Sequence, residues 1–158
     1  MSNEQLTIHI NRLIEDGRFD KTKSQFQHGT ATIYQHSVSV AKFSCEMAKL
    51  LRIKLDYDAL VKGALLHDYH LYNWRHVKFG RWKHGFVHPK MALDNAENDF
   101  QLTDIERNII KCHMFPLTPI PPCTREGWVV CIADKICAIQ EMWISAQTRV
   151  LSGLELAK

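Results

Sequence analysis

Two adjacent side chains that can bind a metal ion, His67 and Asp68, follow the apolar stretch GALL at residues 63–66. A neutral imidazole and a carboxylate supply nitrogen and oxygen donors, which suit divalent transition metals. A His-Asp pair is common by chance, so the rest of the chain decides its meaning. Further candidate ligands lie on or beside other predicted helices: His36, His88, His113 and Asp134.

The helical period turns these candidates toward the core. His36 begins an apolar stripe that continues through Val40, Phe43, Met47 and Leu50. Ile105, Ile109 and His113 follow at intervals of four, and Asp134 shares a face with Val130, Ala133, Cys137 and Glu141. Each residue alone fits a satisfied core histidine or a hydrogen-bonded buried carboxylate. Together they favour a metal centre, since burying several such groups is otherwise costly. A set of nitrogen and oxygen ligands without thiolate suits Mn, Fe, Ni, Mg or Zn.

The pattern of elements predicts an all-α fold, a single compact helical bundle over residues 1–158. Helices are predicted over 3–16, about 33–51, from Asp56 or Asp58 through Leu71, from Pro89 toward Phe100, from a capping box at Thr103, and from about Glu126 to Ser145 or beyond. Residues 18–32 are predicted to be a loop or a broken helix. Almost no strand pattern is present.

A basic and aromatic segment follows the His-Asp pair. No Asp or Glu occurs between Asp68 and Asp94, and Tyr, Trp and Phe residues alternate there with five cations, Arg75, Lys78, Arg81, Lys83 and Lys90. A solvated basic loop is one interpretation. Its position after the candidate ligands favours a substrate wall for an anionic molecule with an aromatic or apolar part.

Composition excludes several classes of protein. The chain has 158 residues, a net charge of +3 and 46% hydrophobic residues, which is typical of a globular domain and makes nucleic acid an improbable partner. The five cysteines form no CxxC pair and are expected to be reduced. No signal peptide or membrane-spanning run is apparent, so a cytoplasmic location without membrane association is expected. The oligomeric state stays open.

The order and spacing of His36, His67-Asp68 and Asp134 resemble the H…HD…D signature of the HD-domain superfamily. His88 and His113 lie between them, like the two extra histidines of members that hold two metals. The stretches FQHG, GALLHDYHLYNW, HGFVHPKMALDNA, HMFP and ADK, within residues 26–141, look like a small bacterial branch of predicted hydrolases. The chain departs from the cyclic-dinucleotide branch at Tyr69-His70-Leu71, which lacks a lysine, and at Met114-Phe115-Pro116, which lacks a GYP motif. Cyclic di-GMP is therefore an improbable substrate.

The resemblance implies a metal-dependent phosphohydrolase, a phosphomonoesterase or phosphodiesterase, with one or two divalent ions. The substrate would be a nucleotide or another small phosphate ester, attacked by a metal-bound hydroxide. The six ligands would be His36, His67, Asp68, His88, His113 and Asp134, and Asp68 would bridge two ions. The phosphate oxygens would be held by His84, Arg75, Arg81, Lys83 and Lys135. Two alternatives stay open: a di-iron oxygenase of the same superfamily, and a nucleotide-binding sensor without turnover.

Overall fold

The computed structural model describes residues 2–27, 30–71 and 80–155, and their side chains except those of residues 80–84 and 152–155. Within these ranges the protein is all-α, as predicted, and only one isolated bridge, between Phe26 and Thr32, has β geometry. The helices are α1 (Asn3–Asp16), a 3-10 helix (Phe19–Ser24), α2 (Ile33–Leu50), α3 (Tyr57–Leu66), α4 (Gly80–Asp99), α5 (Asp104–Cys112) and α6 (Arg125–Glu155). None of the described helices is both long and apolar enough to cross a membrane.

Local sequence signals fix most of the helix starts. Capping boxes begin α1 at Ser2, α2 at Thr32 and α5 at Thr103. In each, the hydroxyl of the capping residue accepts the backbone N–H of the third helical residue, and the side chain of that residue accepts the backbone N–H of the capping residue. The Asp56 carboxylate accepts the Ala59 N–H and begins α3. The capping box predicted at Thr103 is therefore confirmed.

Two predicted helix boundaries are wrong. The helix α3 ends at Leu66, before His67 and Asp68, because the chain turns there: the Tyr69 N–H donates to the Leu66 carbonyl. The helix α4 begins at Gly80, so that Pro89 lies inside it rather than at its start. A proline removes one backbone hydrogen bond of the ladder, and here the helix continues through that interruption.

One hydrophobic core, to which all six α-helices contribute, holds the bundle together. The helix α2 packs against α3 and α6, and α5 contacts α3, α4 and α6. Gly63 permits the close approach of α3 to α5, since a Cβ atom there would lie 3.1 Å from Cβ of Ile109 and nearer still to its Cδ1. The ends of α3 and α5 are thereby brought side by side.

The chain immediately after Asp68 is anchored by Tyr69, which is fully buried. Its hydroxyl donates to Oδ2 of Asp99, at 2.7 Å, and accepts the backbone N–H of Arg18, at 2.9 Å. The Arg18 guanidinium also donates to both oxygens of Asp99. Three separate segments thus meet at one phenol.

Replacement of Tyr69 by Phe is expected to lower the free energy of unfolding by about 1 kcal/mol, because two partly buried groups, the Arg18 N–H and the Asp99 carboxylate, each lose a hydrogen bond. Thermal or urea unfolding measures the change. The matched control is Tyr34→Phe, at a half-buried ring that packs against Phe19. Equal stability of the Tyr69 and Tyr34 variants would show that the hydroxyl does not anchor the segment.

Candidate metal centre

The structure brings the six predicted ligands together in the core, and all six are buried. His36 lies on α2, His88 on α4 and Asp134 on α6, while His67-Asp68 and His113 directly follow α3 and α5. Their donor atoms form two groups, each within 4.8 Å: His36, His67, Asp68 and Asp134 in one, and Asp68, His88 and His113 in the other. Asp68 belongs to both.

The Asp68 carboxylate divides its oxygens between the two groups. Its Oδ2 lies 3.3 Å from Nε2 of His67 and 3.7 Å from Nε2 of His36. Its Oδ1 lies 3.1 Å from Nε2 of His88 and 3.5 Å from Nε2 of His113. One carboxylate is therefore placed to serve two neighbouring cations.

Two of the imidazoles have their tautomer set by the backbone. Nδ1 of His67 lies 2.8 Å from the Ala64 carbonyl, and Nδ1 of His113 lies 2.8 Å from the Ile110 carbonyl. A carbonyl only accepts, so each Nδ1 carries the proton. In the neutral ring the Nε2 lone pair then points into the cluster, as a metal ligand requires.

Several nitrogen and oxygen atoms that can accept hydrogen bonds consequently converge. Among the described residues, Nε2 of His67 and Oδ1 of Asp68 are buried and have no hydrogen-bond partner. The Nε2 atoms of His88 and His113 lie only 2.9 Å apart. Such a convergence of lone pairs in a buried site is unfavourable unless protons, water molecules or cations lie among them. The residues present fit a divalent metal centre.

Comparison with known proteins agrees with this geometry. The family model described as the HD domain matches residues 33–139, about two thirds of the chain. The chain belongs to the HD-domain family. No curated protein and no solved structure gives a significant match. HD domains bind divalent metals and are in general hydrolases of the metal-dependent phosphohydrolase superfamily, and the buried His/Asp cluster fits that chemistry.

Glu141, two turns after Asp134 on α6, supports the histidine that opens the HD signature. Its carboxylate oxygens lie 3.0 and 3.1 Å from Nδ1 of His36, which donates to them and thereby presents the Nε2 lone pair to the cluster. Sequence reasoning placed Glu141 on the inward face but gave it no role. A carboxylate behind a ligating histidine fixes its orientation and raises its basicity.

Gln27 was not predicted as a site residue, although it lies in the FQHG stretch that resembles the family. It is buried, and its amide nitrogen donates to Oδ2 of Asp68. Its amide oxygen lies 3.0 Å from Nε2 of His70, which donates to it. Gln27 thus restrains the carboxylate that belongs to both halves of the HD-domain cluster.

Of the predicted phosphate-binding residues, Lys135 is the one whose side chain the structure describes. Nζ of Lys135 donates to the carbonyls of His113 and Cys131, at 2.7 and 3.1 Å, and lies 3.9 Å from Oδ2 of Asp134. Lys135 therefore stands at the edge of the cluster. Arg75 and the side chains of Arg81, Lys83 and His84 lie outside the part of the chain that the structure describes.

Neighbouring carboxylates raise the pKa values of two histidines of this HD domain, His36 and His67. Burial lowers the pKa of His36, but hydrogen bonds to Asp134 and Glu141 outweigh it and raise the pKa to about 9. Burial likewise lowers the pKa of His67, and the charge of Asp68 overcomes it, so that the pKa lies well above its usual value. In the absence of metal, protonated His36 and His67 would offset the negative charges of the neighbouring carboxylates.

The stability of the metal-free protein should consequently depend on pH. The folded pKa of His36, about 9, exceeds the ordinary value of 6.5, so its charge stabilises the fold fully below pH 6.5 and progressively less as the pH rises toward 9. We expect the melting temperature of the chelator-treated protein to fall over that range. The metal-loaded protein should show no such fall, because coordinated imidazoles are already neutral. Parallel melting curves with and without chelator test this, and a flat metal-free profile contradicts it.

Proposed function

We propose that the protein hydrolyses a phosphate ester of a nucleotide or a similarly small molecule, using two divalent ions. His36, His67, Asp68 and Asp134 would hold one ion, and Asp68, His88 and His113 the other. The main support for this proposal is the placement of the Asp68 carboxylate, which turns one oxygen toward each donor group.

The charge balance of the site supports this assignment. Two carboxylates and four imidazoles together carry two negative charges when the rings are neutral, whereas two divalent ions carry four positive ones. The excess positive charge is suited to an anionic substrate. Bound divalent ions lower the pKa of water toward neutrality and stabilise the charge that develops on a phosphoryl group.

The chain's own residues would then orient and restrain the reacting groups. Glu141 fixes the ring of His36, Gln27 limits the rotation of the Asp68 carboxylate, and the carbonyls of Ala64 and Ile110 fix two further rings. Such preorganisation keeps the donors in place while charge develops on the substrate. Lys135 is proposed to add a positive charge at the edge, and Arg75, Arg81, Lys83 and His84 to bind phosphate oxygens.

The decisive experiment combines metal analysis with a substrate screen. The purified protein should contain up to two ions per chain, and one of Mn, Fe, Ni, Mg or Zn should restore activity to the chelated protein. The screen should include nucleoside monophosphates, sugar phosphates and a small phosphodiester, with phosphate release as the readout. Absence of turnover for every metal and substrate class would contradict the proposed hydrolysis.

A di-iron oxygenase is the alternative function, and the same experiment must distinguish it from a hydrolase. A set of four imidazoles and two carboxylates also suits a pair of iron ions. Oxygen consumption with two bound irons per chain, and no phosphate release, would favour that alternative. Phosphate release under anaerobic conditions would support the hydrolase.

A further inference from the structure

The solvent-facing side of α6 carries a regular apolar row that the metal centre does not use. Its members follow one another at intervals of four, three, four, three and four residues: Ile132, Ile136, Ile139, Trp143, Ala146 and Val150. This is the spacing of the a and d positions of a coiled coil. We name these six residues the α6 seam. Ile136 is half-buried and the other five are exposed.

No described segment covers the seam. The helix packs into the bundle through its opposite side, with Val130, Ala133 and Cys137 in the core. Between residues 142 and 151 only Ser145 is buried. These turns also lie beyond the HD-domain match, which ends at residue 139. An exposed helical extension of this kind is marginal in water unless an apolar face is covered.

We propose that the α6 seam pairs with the same seam of a second copy of this chain, in an antiparallel helix pair. The exposed fractions of Ile139, Met142, Trp143 and Val150, together with the exposed Ala146, correspond to an apolar area on the order of 600 Å² per chain. This is at the lower end of the ~600–1,000 Å² per partner of specific interfaces. Patches on monomers are typically about 300–600 Å². The seam carries no charge that would select a charged partner.

The order of large and small residues favours the antiparallel direction. With the twofold axis between Ile144 and Ser145, Trp143 of each copy faces Ala146 of the other, and Ile139 faces Val150. Arg149 then lies beside Met142 rather than beside a like charge. A parallel pair would place two Trp143 rings in one layer and two Ala146 methyl groups in another. The antiparallel pairing fills the interface evenly, as close packing requires.

The first test is the mass of the protein in solution. Light scattering after size exclusion should give twice the chain mass of 18.3 kDa at micromolar concentration. Trp143→Glu should weaken the dimer at least tenfold, since it buries a charge in the seam. Its matched control is Ile144→Glu, a neighbouring residue of similar exposure, 61% against 67%, on another face of α6; it should remain dimeric. Val150→Glu repeats the test should Trp143→Glu misfold by circular dichroism.

The second test distinguishes the direction of pairing. A chain with Ile139→Cys is mixed with a chain with Val150→Cys, both in a Cys123→Ser background because Cys123 is exposed. Oxidation should join unlike chains only, because two copies of residue 139 would lie about 16 Å apart along the axis. A monomeric wild type, a dimer that both glutamate variants of the seam leave intact, or disulfides between like chains would overturn the proposal. A monomer would leave the seam to a different partner.

Discussion

Asp68→Asn should abolish hydrolysis, with a loss on the order of 1,000-fold or more, while the bundle stays folded. The carboxylate faces both donor groups, so the neutral amide removes a negative charge from both ion positions at once. Metal content should fall with activity. Circular dichroism should not change, because Asp68 and Asn have nearly the same shape.

The melting temperature of this variant, measured with and without metal, shows whether Asp68 is a metal ligand or a structural residue. The amide nitrogen of Asn could donate to Nε2 of His88 or His113, and its oxygen could still accept from Gln27. The metal-free melting temperature should nevertheless fall, because the negative charge that stabilises protonated His67 is lost. Excess metal should raise only the wild-type value, since an ion at 100 times its Kd adds about 2.7 kcal/mol to the folded state.

Asp99→Asn is the control for a substitution that affects stability but not metal binding. Asp99 holds Arg18 and Tyr69 and lies outside both donor groups, so this substitution should lower the melting temperature and leave the metal content unchanged. A wild-type melting temperature that chelation does not alter, together with unchanged metal content in Asp68→Asn, would make Asp68 a structural residue. The proposed hydrolase would then lose its main support.

The helices and the inward direction of His36 and Asp134 were predictable, because both depend on short-range periodicity. His36 heads a stripe that α2 buries, and Asp134 lies on the buried face of α6. The capping box at Thr103 marked the start of α5 for the same reason. Each of these features depends on residues that are only a few positions away in the sequence.

Contacts between distant segments were not predictable from one sequence. Gln27 lies in a polar stretch without helical period, and its partner Asp68 is 41 residues away. Glu141 was visible on the right face of α6, but nothing local indicated that His36, 105 residues earlier, would lie against it. The end of α3 at Leu66 depends likewise on a turn that the apolar pattern continues across.

His113→Ala should reduce the number of bound ions from two to one per chain. One donor group has three side chains besides Asp68, whereas the other has only His88 and His113. Loss of His113 leaves the second position with Asp68 and a single imidazole, which is too few protein ligands for a stable site. The first position keeps all four of its donors.

The matched control is His70→Ala, which removes an equally buried imidazole that bonds to Gln27 and belongs to neither group. Elemental analysis and metal titration of the wild type and both variants should give two, one and two ions per chain. Activity should fall at least ~100-fold in His113→Ala, because the proposed hydrolysis would use the charge of both ions. One ion in the wild type, or two in His113→Ala, would contradict the two-ion centre. In the first case His36, His67, Asp68 and Asp134 should still hold the single ion, and His36→Ala should then release it, whereas His113→Ala should not.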